Sequence, residues 1–329
     1  MRYVEVCGLR TSVIGLGAWQ LGAPEWGWGR ELGPADARAI VERARSLGVT
    51  LIDTAEIYGR GEAERVLGRI LAAPGVRESV VLASKLAPTW PTRERVRAAA
   101  RASLARLGTD YLDLYQVHWP NPLVPQRSTM AGMRVLQDDG LVRHVGVSNY
   151  GLARWRDAEA ALGRPVVSNQ VQYSLLRRTP ERDLLPFAAR RGRLVIAYSP
   201  LAQGALGGRY TAGSLPGGAR PANLLLSEEN LRRALPVLEA LREVAAAHDA
   251  TPAQIALAWV IHHPHVVAIP GARSVAQVES NAAAADIVLG DDEFLHLSQA
   301  ADDFHRDTVA SATRLAGRRA RSLLEPRPR

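Results

Sequence analysis

Residues 80–118 read VVLASKLAPTWPTRERVRAAARASLARLGTDYLDLYQVH and contain two short apolar runs separated by a segment with helical character. The runs at residues 80–85 and 112–118 begin 32 residues apart, and Arg93–Leu107 between them has the apolar spacing of an amphipathic helix. A strand, a helix and a second strand in this order predict a βαβ unit, in which the two strands lie parallel in one sheet.

The same unit recurs along the chain. Apolar runs of this kind begin at Val13, Val49, Val80, Leu112, His144, Val166, Leu194 and Val266. Their starts are 22 to 36 residues apart, except for an interval of 72 residues before the last run. Eight parallel units in one chain predict an α/β fold, the (β/α)8 TIM barrel. Residues 1–10 predict a short N-terminal β-hairpin, and the long interval holds a Gly-rich loop at 204–218 and helical segments at 228–247 and 252–262.

The formal net charge of +8 is concentrated at the end of the chain. Residues 309–329 contain six arginines and one glutamate, so this segment carries +5 and the rest of the chain +3. We therefore predict one barrel domain over residues 1–308 and a basic, Arg-rich, poorly ordered C-terminal tail over residues 309–329. A nucleic-acid or membrane contact by the tail is the alternative. No aromatic residue lies among its arginines, so we predict no nucleic-acid partner.

Cysteine usage and hydropathy bear on the compartment. Cys7 is the only cysteine, which excludes an internal disulfide and suits a reducing environment. No segment resembles a signal peptide, and no apolar stretch reaches transmembrane length. These features predict a cytoplasmic protein with no membrane partner.

Lysine usage is the most unusual feature of the composition. The chain has 41 basic residues, of which Lys85 is the only lysine. A guanidinium is always charged, planar and forked, whereas a lysine ammonium is a compact charge whose pKa can shift. A surface lysine left by chance is one interpretation. Because Lys85 ends a predicted barrel strand, we favour an active-site role.

The carboxyl ends of the predicted strands carry the chemistry, because in a TIM barrel they meet at one rim. Asp53, Lys85 and His118 end the second, third and fourth strands, and Tyr58 lies in the loop after the second. An ammonium lowers the pKa of a nearby phenol, normally about 10, and a carboxylate keeps that ammonium charged. An imidazole can donate a hydrogen bond to a substrate oxygen. Each residue alone has a structural alternative, such as a helix N-cap for Asp53, but together they predict proton delivery to a carbonyl oxygen.

Six segments resemble the aldo-keto reductase superfamily, in order and over about residues 1–300. They are IDTAEIYG (52–59), LASK (82–85), DLYQVHWP (113–120), VGVSN (145–149), YSPLAQGALGGRY (198–210) and IPGARSVAQVESN (269–281). The resemblance, strongest to bacterial members, implies an oxidoreductase that reduces an aldehyde or ketone by direct hydride transfer from NADPH. It implies that Tyr58 is the general acid, that Lys85 and Asp53 tune it, and that His118 orients the carbonyl group.

The resemblance also implies where NADP(H) binds. Ser148, Asn149 and Gln170 would hold the nicotinamide amide, and Tyr198 would stack on its ring. Arg273 would clamp the 2′-phosphate, because a guanidinium binds phosphate through two hydrogen bonds, and this favours NADP over NAD. The remaining implied contacts are Ser199, Leu201, Gly204, Leu206 and Arg209 at the pyrophosphate, and Gln277 and Asn281 at the adenosine.

Tryptophans in the predicted rim loops are candidates for the wall of a substrate pocket. They are Trp19, Trp26, Trp28, Trp90 and Trp119. Trp26 and Trp28 can equally well cover the barrel mouth. No loop motif names a particular small-molecule carbonyl substrate. Two alternatives therefore stay open: a dedicated keto-sugar or inositol-type reductase or dehydrogenase, and a non-catalytic NADPH-sensing regulatory subunit.

Two further motifs receive structural interpretations. The glycines of residues 15–22 lack the spacing of a dinucleotide-binding fingerprint. His262, His263 and His265 precede the last strand, at the rim opposite the predicted chemistry, and have no carboxylate neighbours in the sequence. We therefore predict no metal site.

Overall fold

A computed structural model describes residues 1–208, 210 and 224–305 of the chain. It begins with an antiparallel hairpin of β1 (Tyr3–Val6) and β2 (Leu9–Ser12). Val6 and Leu9 of the hairpin are buried against side chains inside the barrel, including Leu51 and Leu194, which begin their strands. The hairpin therefore covers the amino-terminal end of the barrel, opposite the rim where chemistry is expected.

Eight parallel strands follow the hairpin and pair in sequence order. They are β3 (Leu16–Gly17), β4 (Leu51–Asp53), β5 (Val81–Leu86), β6 (Leu112–Val117), β7 (Val142–Ser148), β8 (Ser168–Gln172), β9 (Leu194–Tyr198) and β10 (Val266–Ala268). The N–H of Gly15 donates to the Ala268 carbonyl at 2.8 Å, and the N–H of Ala268 donates to the Val13 carbonyl at 2.9 Å. These bonds join the residues immediately before β3 to β10, the last strand, and so close the barrel.

Helices connect the strands and pack outside the sheet. They are α1 (Pro34–Ser46), α2 (Glu62–Leu71), α3 (Arg93–Leu107), α4 (Gln126–Asp138), α5 (Leu152–Leu162), α6 (Leu184–Arg191), α7 (Glu228–Arg233), α8 (Leu235–Ala247), α9 (Pro252–Val260), α10 (Val275–Ala283) and α11 (Asp291–Asp302). The two ends of α3 show how the helices begin and end. Before its first residue, the Thr92 hydroxyl accepts a hydrogen bond from the Arg95 N–H at 3.3 Å, and after its last residue Gly108 adopts a left-handed φ of 62°. The buried faces of the helices form a large apolar core against the strands.

The helical segment expected at residues 228–247 is two helices in the structure. α7 ends at Arg233 and α8 begins at Leu235, with Ala234 between them. Pro236 has no amide hydrogen, so it cannot continue the hydrogen-bond ladder of α7. The segment expected at 252–262 is α9, which ends at Val260.

The structure confirms the predicted (β/α)8 barrel and its N-terminal hairpin. Among the described residues, no helix has both the length and the apolar character needed to cross a membrane. The predicted tail at residues 309–329 lies outside the described residues.

Candidate active site

A cavity of about 860 Å³ lies at the rim formed by the carboxyl ends of the strands. Its wall draws on the carboxyl ends of β3, β4 and β6 to β10 and on α10, because parallel barrel strands all end at this rim. The sequence-predicted residues that line it are Trp19, Trp26, Asp53, Tyr58, His118, Trp119, Ser148, Asn149, Gln170, Tyr198, Ser199, Leu201, Gly204, Gln277 and Asn281.

Lys85 lies behind this wall with its side chain fully buried. Its ammonium donates to a carboxylate oxygen of Asp53, to the Thr54 carbonyl at 2.9 Å and to the Tyr58 hydroxyl at 3.2 Å. An ammonium has three N–H donors, and each acceptor here takes one. The sequence-predicted carboxylate, amine and phenol are therefore joined in one hydrogen-bonded group.

Two glutamines hold the second carboxylate oxygen of Asp53. The side-chain amides of Gln170 and Gln116 donate to this oxygen at 2.8 and 3.3 Å. Gln116 lies on β6 opposite Lys85 on β5, so the pairing of these strands places both side chains beside the carboxylate. In this structure, Gln170, which the resemblance assigns to the cofactor, already donates to Asp53.

Tyr58 reaches the ammonium from the loop that follows β4. The next residue, Gly59, has φ +53°, and a Cβ there would lie 2.0 Å from the Gly22 carbonyl oxygen. Glycine is therefore required where this loop touches the loop after β3. The Tyr58 ring stacks on the Trp19 indole from that neighbouring loop, with ring centroids 5.5 Å apart and planes 18° apart. The contact between the loops fixes the orientation of the tyrosine ring.

The charge states of this group follow from burial and from its neighbours. Burial raises the pKa of Tyr58 above its usual value of 10.0, and the Lys85 ammonium acts in the opposite direction. Burial alone would lower the pKa of Lys85, but the Asp53 carboxylate and Tyr58 outweigh it, so that pKa is raised. At neutral pH Tyr58 is a protonated phenol beside a charged ammonium. The sequence argument expected a lowered tyrosine pKa because it left out the cost of burying a phenolate.

His118 completes the predicted set of four. Its ring meets the Tyr58 ring edge-on, with centroids 5.8 Å apart and planes 84° apart. Burial, assisted by the Lys85 ammonium, lowers the pKa of His118 to about 3. The imidazole is therefore neutral at physiological pH and can donate a single N–H hydrogen bond to a substrate.

Polar side chains at the ends of β7, β8 and β9 form a second network. The Ser148 hydroxyl donates to the Gln170 carbonyl at 2.9 Å. The amide of Asn149 donates to the His118 carbonyl at 3.1 Å, and its oxygen accepts from the Tyr198 hydroxyl at 3.0 Å. The residues that the resemblance assigns to the nicotinamide are therefore adjacent and ordered by one another.

The residues predicted for the adenosine end lie after β10 and on α10. The Gln277 side-chain oxygen accepts from the Arg273 N–H at 2.8 Å. The Arg273 guanidinium forms an ion pair with Glu31 from the loop before α1. Arg273 Nε is buried without a hydrogen-bond partner among the residues that the structure describes. Arg273 is thus close to the residues of the cavity wall without being part of it.

Aromatic side chains form one side of the cavity. Trp19 meets Trp26 edge-on with centroids 5.2 Å apart, and the Trp19 indole N–H donates to Glu25 at 3.2 Å. Trp119 also lines the cavity and is 47% exposed. Three of the five predicted tryptophans are therefore brought to this wall.

Besides Lys85 and Arg273, three predicted residues in the described part of the chain do not line the cavity. Leu206 is fully buried in the large apolar core, and Trp28 packs against the same core. Trp90 is 58% exposed in the loop after β5, so its side chain extends towards solvent. Arg209 lies outside the described residues.

The histidines before β10 pack against aromatic rings. His262 stacks on Phe294 with centroids 4.2 Å apart, and His263 meets the same ring edge-on at 5.3 Å. Within the described ranges, no group of three His, Cys, Asp or Glu residues is arranged to hold a metal ion.

Sequence reasoning missed Gln116, Glu25 and Glu31. Gln116 lies two residues before His118, so the alternation of side chains along a strand was a signal that it points the same way. Glu25 lies in a single 3-10 turn (Pro24–Trp26) and Glu31 in the loop after it, and neither segment is long enough for a periodicity that indicates which side chains meet the cavity or Arg273.

The profile of the aldo/keto reductase family matches residues 13–302, which include the whole barrel after the hairpin. The chain belongs to the aldo/keto reductase family. The sequence resemblance is thereby confirmed, and the broad class is that of oxidoreductases.

Bacterial oxidoreductases are similar to this chain, both in sequence and among solved structures. It is 55% identical over 290 residues to an uncharacterized oxidoreductase of Mycobacterium bovis, covering 88% of this chain and 89% of the relative. It is 39% identical over 288 residues to a methylglyoxal reductase of Escherichia coli, covering 87% and 90%. Among solved structures, an aldo/keto reductase of Klebsiella pneumoniae in complex with NADP and acetate has a TM-score of 0.73 and 35% identity, covering 90% of this chain and 94% of that one.

Proposed function

We propose that this protein is an enzyme that uses NADPH to reduce a small aldehyde or ketone to an alcohol. The observation that carries the proposal is the buried group of Asp53, Lys85 and Tyr58 at the cavity wall. Membership of the aldo/keto reductase family supports it, as does the NADP bound by the relative from Klebsiella pneumoniae.

The residues around the cavity fit a phosphorylated dinucleotide. The cavity runs from Tyr58 to Gln277 and Asn281, and beside these Arg273 keeps a buried Nε without a partner among the described residues. An unpaired buried donor is costly, and a phosphate oxygen would satisfy it. The residues proposed to hold NADP(H) are Ser148, Asn149, Gln170, Tyr198, Ser199, Leu201, Gly204, Arg273, Gln277 and Asn281.

The proposed role of Tyr58 is to supply the proton of the reduction. When bound, the reduced nicotinamide supplies a hydride to the carbonyl carbon. Tyr58 transfers its hydroxyl proton to the carbonyl oxygen, which completes the alcohol. The phenolate left on Tyr58 lies beside the Lys85 ammonium, 3.2 Å away, which stabilises the negative charge. Asp53 keeps that ammonium charged throughout.

His118 and the tryptophans position the substrate in this proposal. The neutral imidazole donates a hydrogen bond to the carbonyl oxygen that Tyr58 protonates. Trp19, Trp26 and Trp119 supply an apolar wall for the rest of the substrate. Because indole rings pack against apolar groups in general, the activity should first be sought with several classes of carbonyl compound.

The test follows the absorbance of NADPH. We measure its oxidation with methylglyoxal, an aromatic aldehyde or a keto-sugar as the substrate, and its formation from NADP+ with an inositol, which is an alcohol, as the substrate. We expect Tyr58→Phe to lower kcat by at least about 100-fold, because general acid catalysis contributes roughly 10² to 10⁴. NADPH binding, measured by quenching of tryptophan fluorescence, should stay nearly unchanged. Tyr3→Phe, in the hairpin at the other end of the barrel, is the matched control.

Two outcomes would contradict the proposal. Comparable turnover in Tyr58→Phe would remove the tyrosine from its role as the acid. Tight NADPH binding without oxidation by any substrate class would favour the NADPH-sensing regulatory subunit. Activity confined to the keto-sugar or the inositol would instead favour the dedicated sugar enzyme.

A further inference from the structure

The ion pair between Glu31 and Arg273 joins two parts of the chain that are 242 residues apart. Glu31 lies in the loop before α1, and Arg273 lies between β10 and α10. The guanidinium donates through Nη2 to a carboxylate oxygen of Glu31. The Glu31 side chain is 65% exposed, whereas that of Arg273 is 28% exposed. The Glu31 carboxylate therefore contacts the Arg273 guanidinium from the solvent side, whereas Arg273 Nε is buried.

The backbone of the loop holds Glu31 in this place. The Gly27 carbonyl accepts hydrogen bonds from the N–H groups of Arg30, Glu31 and Leu32, at 3.1, 2.8 and 3.2 Å. Gly27 has φ +92°, and a Cβ there would lie 2.9 Å from Arg273 Nη2. The left-handed φ favours glycine at this position, and a Cβ there would push the Arg273 guanidinium aside. Glu31 is presented to Arg273 by a tight turn.

We propose that Glu31 is a specificity-determining residue that competes with the 2′-phosphate of NADP(H) for Arg273. The inference rests on the proposed function, in which Arg273 clamps that phosphate. A phosphate bound to Arg273 must either share the Nη2 donor with Glu31 or displace the Glu31 carboxylate from it. In addition, the two anions repel each other. NADH has no 2′-phosphate and meets neither obstacle. Glu31 therefore narrows the preference for NADPH over NADH.

The test measures the Kd of NADPH and of NADH by tryptophan fluorescence for the full chain and for Glu31→Gln. Exposed ion pairs contribute roughly 0.2–1 kcal/mol, so the Kd for NADPH should fall about 1.5- to 5-fold. The Kd for NADH should not change. Glu42→Gln on α1 removes the same charge from an exposed pair with Arg38 and controls for net charge.

A double variant separates the ion pair from other effects of the substitution. In the Arg273→Ala background, the gain in NADPH affinity from Glu31→Gln should be smaller, because the group for which the two anions compete is gone and only their mutual repulsion remains. The inference is overturned if Glu31→Gln tightens the binding of both cofactors equally, if Glu42→Gln has the same effect, or if the full gain persists without Arg273. Failure of the unsubstituted chain to bind either cofactor would instead overturn the proposed function.

Discussion

At the scale of single residues, Lys85 has room for an ammonium and for little else. Its side chain has no solvent exposure, and its nitrogen lies among Asp53, Thr54 and Tyr58. A guanidinium is wider and planar, so Lys85→Arg should displace these acceptors even though the charge is kept. We expect kcat to fall by about 100-fold or more, with NADPH binding little altered.

Steady-state kinetics and a fluorescence titration of NADPH check this prediction. Arg69→Lys on the exposed side of α2 is the control, since it exchanges the same two groups where space is not limiting. Turnover of Lys85→Arg within a few fold of the unsubstituted enzyme would show that only the charge matters.

His118 should couple the stability of the barrel to pH. Its pKa is about 3 in the folded chain, against about 6.5 when unfolded, so the unfolded chain binds more protons between these values. The contribution of the neutral His118 side chain to the free energy of unfolding is fully present above pH 6.5 and is lost as the pH falls towards 3. Between pH 7 and pH 5.5 the loss should be about 1 kcal/mol. Urea unfolding of the unsubstituted chain and of His118→Gln measures it, and equal losses in both would contradict it.

The residue types at the strand ends were sufficient to predict which side chains form the reactive group. They were not sufficient to predict the environments of those side chains. The order of strands along the chain places Asp53, Lys85 and His118 at one rim, whatever the loops do. The direction of the Tyr58 pKa depends on how completely its ring is buried. The partner of Arg273 depends on a loop residue that lies 242 residues earlier in the chain. Neither property can be read from local spacing.

At the scale of elements, the contact between the loops after β3 and β4 sets the position of Tyr58. Ala at Gly59 would place Cβ 2.0 Å from a backbone oxygen of Gly22, and a backbone atom cannot rotate away. Gly59→Ala should therefore shift the Tyr58 loop and lower kcat. It should also lower the free energy of unfolding by more than the roughly 1–2 kcal/mol that an alanine in the left-handed region costs.

Gly108→Ala is the matched control for the Gly59 prediction. Gly108 has φ +62°, and a Cβ added there would meet nothing within 4 Å, so this substitution carries only the backbone cost. Urea unfolding and kcat distinguish the two variants. If both lose the same stability and Gly59→Ala keeps its turnover, the loop contact does not position Tyr58.

The barrel was predictable at the element scale because its unit repeats. Each β-branched run and each amphipathic segment supports the same βαβ interpretation, so an error in one unit does not change the fold. The division between α7 and α8 was missed because the apolar pattern continues across Ala234 while Pro236 interrupts the backbone ladder. The exposure of Trp90 was missed because a loop has no period.

At the scale of the whole molecule, residues 1–305 contain the closed barrel, its hairpin cover and the described wall of the cavity. Residues 309–329 carry +5 of the net charge of +8, and we predict that they form a tail outside the folded domain.

A chain ending at residue 308 should keep its urea midpoint, its Kd for NADPH and its kcat, because no proposed site residue lies in the removed segment. Retention of the full chain on immobilised DNA or RNA is the second measurement, since a segment with a net charge of +5 can give salt-sensitive binding without sequence preference. Loss of stability or turnover on truncation would show that the domain extends beyond residue 308. Salt-sensitive retention that disappears with the tail would show a nucleic-acid contact.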